Sequence, residues 1–565
     1  MALMRLGDML VASGTITERQ LQQALAAQKK TRTRLGDTLM SEGILTERQL
    51  IDALTIQLGI DYIDLNDYEI DPRMTKYVPK QMAERYQVVP VKVQGSDLYL
   101  AMVDPLNFNA LEEVRVAAKK QVISMISTKR GIERAISVLY GTEGAKRAIR
   151  EMQRDGGYRS RDHGGLKAEE LETDESQAPS VRLVNNIIER GISDRASDIH
   201  IEPQEENMVV RMRVDGLLHK QFDIPKELQD SLISRVKVMC NMDVTNHRTP
   251  QDGRAMVRVR ETEVDLRVST LPTVHGEKIV MRLLSRDNKL RTAEQLGFAG
   301  HNLELYNELL ANNQGIVLLV GPTGSGKSST LFTMVSKLNT EEVNIVTLED
   351  PVEYNIVGVN QVQVDEKNGT TFASGLRSIL RQDPDIITVG EIRDNETADI
   401  AMRSAMTGHL VISTLHTNDA ISTIDRLDDI GVPRYMIASS LKGVIAQRLV
   451  RRICPYCRDQ YRPTSDELEM MGMDPDDPEN EDVVVHRGKG CPECFGTGYM
   501  GRTVVSEILP VDRAVRAAIH TNAPRAELET AARNAGFRPI MDDYRRLVLS
   551  GITTVEEVRR SSFVS

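Results

Sequence analysis

The stretch Gly315-Ile-Val-Leu-Leu-Val-Gly-Pro-Thr-Gly-Ser-Gly-Lys-Ser-Ser-Thr330 constrains the fold more than any other part of the chain. The apolar run Ile316 to Val320 predicts a buried strand, and Gly321-x4-Gly326-Lys327-Ser328 completes a P-loop pattern. Glycines let backbone N–H groups turn inward around phosphate oxygens, and a helix starting near Lys327 adds its positive end. Gly321, Pro322, Thr323, Gly324, Ser325, Gly326, Lys327, Ser328 and Ser329 are therefore the expected nucleotide-binding residues. Lys327 is expected to reach the β- and γ-phosphates of a nucleoside triphosphate, and Ser328 to bind Mg²⁺. Strand, loop and helix occur in the order this chemistry needs.

Strands then alternate with helical patterns, which implies a parallel α/β sheet. Asn344 to Tyr354 is a strand ending in three carboxylates, and Asp385 to Glu391 is a second. Ligands bind at the carboxyl ends of such strands. Glu349, Asp350, Glu353 and Glu391 are expected to converge on the phosphates. A third strand, His409 to Thr417, brings His409 and His416, a pair that reads as functional beside a P-loop.

Farther on stand Cys454-Pro-Tyr-Cys457 and Cys491-Pro-Glu-Cys494. Two such knuckles can supply four thiolates for tetrahedral Zn²⁺. An insert, residues 458 to 490, separates them, and its acidic tract Asp474 to Asp482 reads as a loop. Cys240 is alone and predicted to be buried.

Ahead of the P-loop, an internal repeat opens the chain. Arg5 to Gln28 returns as Arg34 to Gln57, with fourteen of the 24 positions identical, which is beyond chance. Each copy carries a capping box, Thr17-x-x-Gln20 and Thr46-x-x-Gln49, which starts a helix. Leu21, Ala24 and Leu25 share one helical face, as do Leu50, Ala53 and Leu54. Packing explains the leucines but not the recurrence of both Arg-Leu-Gly turns and both terminal glutamines. Residues 1–59 are thus read as a tandem-repeat helical domain and 60–141 as a small mixed domain. Residues 142–180, poor in apolar side chains and mixed in charge, are read as a flexible linker. Residues 181–290 alternate as a half-solvated sheet bearing Arg211, Arg213, Arg254, Arg267 and Arg282, a solvated basic face. Residues 291–565 hold the motor, with the tetracysteine subdomain at 450–500.

Net charge is −11, there is no Trp, and aromatics make up 4% of the residues, which argues against a nucleic-acid binder. No run approaches the ~18 apolar residues of a membrane span.

With these motifs assembled, residues 60 to 565 resemble the secretion ATPase superfamily, in particular the motors of type IV pilus extension and type II secretion. Gly321 to Ser328 matches its Walker A loop, Glu349 to Glu353 lies in its aspartate box, Gly390-Glu391 ends its atypical Walker B, and Thr407 to His416 is its histidine box. Ala196 to Pro203 and Pro250 to Arg254 match the domain that precedes the motor, and the tetracysteine pair also belongs to the family. The resemblance implies an α/β fold: a P-loop RecA-like motor preceded by a PAS-like α+β domain. It implies Glu353 as general base, Glu391 holding Mg²⁺ through water, and Arg377, Arg381, Arg267 and Arg282 contacting phosphate, the last two across a domain or subunit boundary. It further implies a homohexameric cytoplasmic ring, peripheral at the inner membrane, docked on a platform protein, and ATP hydrolysis that powers type IV pilus extension, with the motor of a type II secretion pseudopilus as the alternative. A DNA-transfer ATPase is the more distant alternative. The N-terminal repeat resembles a cyclic-di-GMP-binding domain found ahead of some of these motors. That resemblance implies ligand contacts from Arg5, Leu6, Gly7 and Gln28 in one copy and Arg34, Leu35, Gly36 and Gln57 in the other.

Overall fold

The structure is a computed structural model. It describes residues 6–562 except 32–34, 46, 66–67, 69, 137–138, 141–168, 171–177, 260–261 and 286–290. Arg5, Arg34, Thr46 and most of the expected linker lie outside the described residues. The chain divides into two units, Met1–Asp287 and Asn288–Ser565.

The first unit opens with helices α1 (Leu6–Ala12), α2 (Glu18–Thr31), α3 (Leu35–Ser41) and α4 (Glu47–Leu58). The first capping box forms as expected: the Thr17 N–H donates to Gln20 Oε1 at 2.8 Å, and the Gln20 N–H donates to Thr17 Oγ1 at 3.3 Å. Leu10, Leu21, Ala24, Leu39 and Ala53 make one shared core, so neither copy of the repeat buries its apolar face alone. A side chain on Gly7 would stand 2.7 Å from Leu21, and one on Gly36 2.9 Å from Leu50. These glycines therefore recur in part because the helices pack closely there.

Strands β1 (Val88–Gln94), β2 (Asp97–Met102) and β3 (Gln121–Ile126) form a small sheet. A seven-stranded sheet follows: β4 (Glu169–Glu170), β5 (Asp198–Pro203), β6 (Asn207–Val214), β7 (Leu217–Pro225), β8 (Gln251–Val259), β9 (Thr262–Thr273) and β10 (Gly276–Ser285). Its order is β4-β8-β9-β10-β5-β6-β7, antiparallel except at β4. The helices Pro179–Ser193 and Gln229–Met239 cover its apolar face. The first begins just before residue 181, inside the stretch read as linker. On the other face the alternation seen in Met208-Val-Val-Arg-Met-Arg places charged side chains, as a half-solvated sheet requires.

The second unit is built on β11 (Gly315–Val320), β12 (Ile345–Glu349), β13 (Asn360–Gln363), β14 (Ile386–Val389), β15 (Leu410–Leu415) and β16 (Leu441–Ile453). The strands β17 (Arg458–Tyr461), β18 (Val485–Gly488) and β19 (Tyr499–Pro510) complete it. The main sheet runs β13-β12-β14-β15-β11-β16-β19, parallel until β19 pairs antiparallel with β16. Ile316, Leu318 and Val320 of β11 enter one core, and Val317 and Leu319 enter the core on the opposite face. Burial on both faces explains why β11 is an unbroken apolar run rather than an alternating one. Each such side chain contributes about 1.5–3 kcal/mol by leaving water. The expected mixed α/β organisation is thus present. Among the described residues no helix is long and apolar enough to cross a membrane.

Candidate functional site: a P-loop at the carboxyl ends of parallel strands

β11 delivers the chain into the P-loop. Gly321 has φ of 147°, and a Cβ there would lie 2.4 Å from the carbonyl oxygen of Gln447, so only glycine fits. Gly326 caps the helix Lys327–Leu338, whose first N–H groups face the loop. Lys327 Nζ donates to the carbonyl oxygens of Gly321 at 2.7 Å and Pro322 at 3.2 Å. Burial lowers the pKa of Lys327 below the ordinary lysine value, and the negative charge of Glu391 partly offsets this. Ser328 and Ser329 follow in the first turn. Ser325 is buried, and its carbonyl accepts a 2.8 Å hydrogen bond from Gln447 Nε2 on β16. Gln447 therefore braces the loop from the side. The sequence offered no signal for it, because its role depends on β16 lying next to β11.

Of the four carboxylates expected to converge, Glu391 stands nearest this chemistry. It follows β14, forms an ion pair with Arg393, and its Oε2 lies 3.6 Å from Nε2 of His416, which follows β15. Thr414 Oγ1 donates to the Gly390 carbonyl at 2.7 Å and ties the two strand ends together. Glu353 and Asp350 lie exposed in the loop after β12. Glu349 departs from the expectation. It is 4% exposed, and its Oε1 accepts from Thr347 Oγ1 at 2.7 Å and Gln361 Nε2 at 2.9 Å, so its carboxylate anchors the loop from below. Arg393 was not singled out from the sequence.

His409 also departs from the expectation. Gly315 pairs with Leu410, and the Gly315 N–H donates to the His409 carbonyl at 3.0 Å. His409 thus stands at the amino end of β15, roughly 20 Å along the strand from His416. Its Nδ1–H donates to the Ser404 carbonyl at 2.9 Å, closing the last turn of the helix Asn395–Met406. The two histidines share a strand but serve opposite ends of the sheet. Arg377, on the helix Phe372–Ile379, is exposed and bonds Glu396. Arg381 is exposed just beyond, donating to the Arg377 carbonyl at 3.0 Å.

In the first unit, strand register lines up Arg254, Arg267, Arg282, Asp198 and Arg213 in one row across β8, β9, β10, β5 and β6. Arg282 Nε donates to Asp198 Oδ1 at 3.0 Å. Beside that row, Arg211 makes a two-pronged pair with Glu202 at 2.6 and 2.8 Å, and Lys278 Nζ lies 3.0 Å from the same carboxylate. On the expected basic face, Asp198 and Glu202 therefore pair with Arg282, Arg213 and Arg211.

The four knuckle cysteines come together. Sγ–Sγ distances are 3.7 Å for Cys454–Cys491, 3.8 Å for Cys457–Cys494 and 3.7 Å for Cys491–Cys494. All four sulfurs lie within 4.8 Å of one another. A tetrahedron of thiolates around zinc has edges of about 3.8 Å, from Zn–S bonds near 2.3 Å. Burial pushes the Cys494 thiol up, but the N–H groups of Cys491 (3.2 Å) and Gly498 (3.1 Å) donate to its sulfur and bring it down to about 7. The donor set and its spacing suit a closed zinc site. In the repeat domain, Leu6, Gln28, Leu35 and Gln57 are half-buried, and Gly7 and Gly36 are buried.

A P-loop between a parallel strand and its helix, with an acidic residue and a histidine at neighbouring strand ends, defines a P-loop ATPase. The type II/IV secretion system protein family matches residues 173–560, and the MshEN domain matches residues 58–146. The chain belongs to the type II/IV secretion system protein family, and it is an ATPase of that family. It is 39% identical over 562 residues to the type IV pilus assembly ATPase PilB of Myxococcus xanthus, covering 98% of each chain. It is 41% identical to the PilB of Thermus thermophilus over 98% of this chain, which spans 58% of that relative's length. It is also 41% identical over 472 residues to the type II secretion system ATPase E of Vibrio cholerae, covering 83% of this chain and 92% of the relative. The X-ray structure of the Legionella pneumophila ATPase DotB shares the fold, with a TM-score of 0.51 at 20% identity over 70% of this chain and all of the other. The MshEN match begins at the end of the tandem repeat and so falls on the residues read as the small mixed domain.

Proposed function

We propose that this chain is a hexameric cytoplasmic motor that hydrolyses ATP to power type IV pilus extension, docked on an inner-membrane platform protein. The observation that carries this reading is the likeness to the Myxococcus pilus assembly ATPase over nearly the whole of both chains. The motor for type II secretion is the second reading, favoured by the Vibrio relative over the region both chains share. Deleting the gene and scoring surface pili and twitching against exoprotein secretion tests the choice. Loss of secretion with pili intact overturns the pilus reading.

In the reaction, Lys327 and the P-loop N–H groups hold the phosphates, while Ser328 and, through water, Glu391 hold Mg²⁺. Glu353 takes the proton of the attacking water. Arg377, Arg381, Arg267 and Arg282 meet the charge that develops on phosphate, the last two from a neighbouring domain or subunit. The motor is RecA-like and the sheet ahead of it PAS-like. Cys454, Cys457, Cys491 and Cys494 hold one structural Zn²⁺. Regulation is assigned to residues 1–59, which offer two half-sites to the two guanines and two phosphates of cyclic-di-GMP. Arg5 and Arg34 carry the planar donor fork that pairs with guanine O6 and N7. The neighbouring MshEN match supports a regulatory N-terminal region. Calorimetry with the full chain should show binding that Arg34→Ala weakens by about 1–3 kcal/mol, the worth of one bidentate base contact. Equal binding of cyclic-di-AMP sinks this assignment.

A further inference from the structure

Glu353 stands exposed in the loop after β12, yet hydrolysis needs a general base within about 2.6–3.2 Å of the proton it takes. Something has to hold that loop. The half-buried amide of Gln361, on β13, reaches back across the loop and makes three hydrogen bonds. Its Oε1 accepts from the Ile356 N–H at 2.8 Å. Its Nε2 donates to the Tyr354 carbonyl at 2.8 Å and to Glu349 Oε1 at 2.9 Å. Both of its donor hydrogens and its acceptor oxygen are engaged. Glu349 is the fixed point of this arrangement, buried at the end of β12 and held also by Thr347. The ring of Tyr354 stands edge-on to Phe332 of the helix Lys327–Leu338, with centroids 4.8 Å apart and planes at 77°. The residue that follows Glu353 is thus tied by its backbone to Gln361 and by its ring to the P-loop helix.

We propose that Gln361 is a positioning residue for ATP hydrolysis, clamping this loop so that Glu353 keeps its place relative to the P-loop helix. The proposal rests on the reading of Glu353 as general base. The clamp joins three stretches: the end of β12, the loop backbone on either side of Asn355, at Tyr354 and Ile356, and the edge strand β13. No other residue type of that size supplies two donors and an acceptor in one plane. A glutamate at 361 keeps the acceptor for Ile356 but presents a second carboxylate to Glu349. A methionine keeps the length and supplies none of the three bonds.

The test measures steady-state ATPase rate, nucleotide affinity by a fluorescent ATP analogue, and thermal unfolding on the full-length protein. Gln361→Met and Gln361→Glu should each lower kcat by about 10–100-fold, the scale expected when a catalytic group is misplaced by about 1 Å. Nucleotide affinity should stay within about twofold, since the P-loop contacts are untouched. Placed in the Glu353→Gln background, Gln361→Met should add less than about twofold, because residues that act as a unit are non-additive. Unchanged kcat in both variants, an equal loss in both backgrounds, or a parallel loss of affinity and thermal midpoint overturns the proposal. If Glu353→Gln turns over at the wild-type rate, the general-base reading fails and takes the proposal with it. If Glu353→Gln is inactive while the Gln361 variants are fully active, only the clamp is refuted.

Discussion

The two seven-stranded sheets solve different problems with the same number of strands. The sheet of the second unit is parallel over six strands and its central strands are buried on both faces, so its chemistry is confined to the carboxyl ends, where loops leave the core. The sheet of the first unit is antiparallel over six strands and covered on one face only. Its open face can therefore hold the row Arg254–Arg267–Arg282–Asp198–Arg213 in strand register. One sheet makes a site from backbone N–H groups and strand ends, and the other makes a field from side chains. The difference follows from connectivity. Crossover helices cover a parallel sheet on both faces, whereas hairpins leave a face free for solvent.

The strongest way to break this contrast is Lys327→Ala, which removes the main positive partner of the β- and γ-phosphates. ATP turnover, read by phosphate release, should fall to background. Turnover at the wild-type rate would refute the strand-end site altogether. Arg267→Ala and Arg282→Ala probe the other sheet and should reduce turnover more than ATP affinity, by up to ~10³-fold if the arginines act as fingers on the transferring phosphate. Mixing either with Lys327→Ala subunits tests action in trans, and a strictly additive loss at every ratio counts against it.

Cys454→Ser sharpens the contrast at the far end of β16, where the parallel sheet gives way to side-chain chemistry. Metal-binding energy is folding energy in a thiolate cluster, so the variant should lose its zinc and unfold its C-terminal lobe at lower temperature. Freshly purified wild type without zinc would remove the claim. The smallest effect is expected from Glu202→Gln on the open face of the first sheet. Burial pushes the Glu202 carboxyl up, but Arg211 and Lys278 outweigh it and hold it at about 2. A depressed carboxyl stabilises the fold above its unfolded pKa near 4.5 and loses that contribution as pH falls toward 2. Glu202→Gln should therefore flatten the acid limb of stability between those values. An unchanged acid limb would show that the pair contributes nothing.

Much of the second unit could be read from the chain. The unbroken apolar run of β11 marked a buried strand, the alternation of strand and helix patterns after it marked a parallel sheet, and the alternation in β6 marked a strand with one open face. The site was legible where residues are close in sequence: Lys327 and Ser328 in the P-loop, and each Cys-x-x-Cys pair. It was misread at Glu349 and His409. An acidic residue closing an apolar strand gives no sign of whether its carboxylate faces a ligand or a buried amide. Two histidines bracketing one strand look like a pair until the strand's length separates them.

The sequence by itself determined the kinds of element and the local chemistry: the P-loop, the thiolate knuckles, the duplicated helical module and the class of each sheet. These depend on backbone freedom and on periodicity, which are properties of neighbouring residues. Only the tertiary structure decided that β16 lies beside β11, so that Gln447 braces the P-loop, and that Gln361 returns over Tyr354 and Glu349. Strand order and side-chain partnership arise from packing between segments far apart in the chain. A single polar residue in such a segment carries no mark of the partner that burial will bring to it.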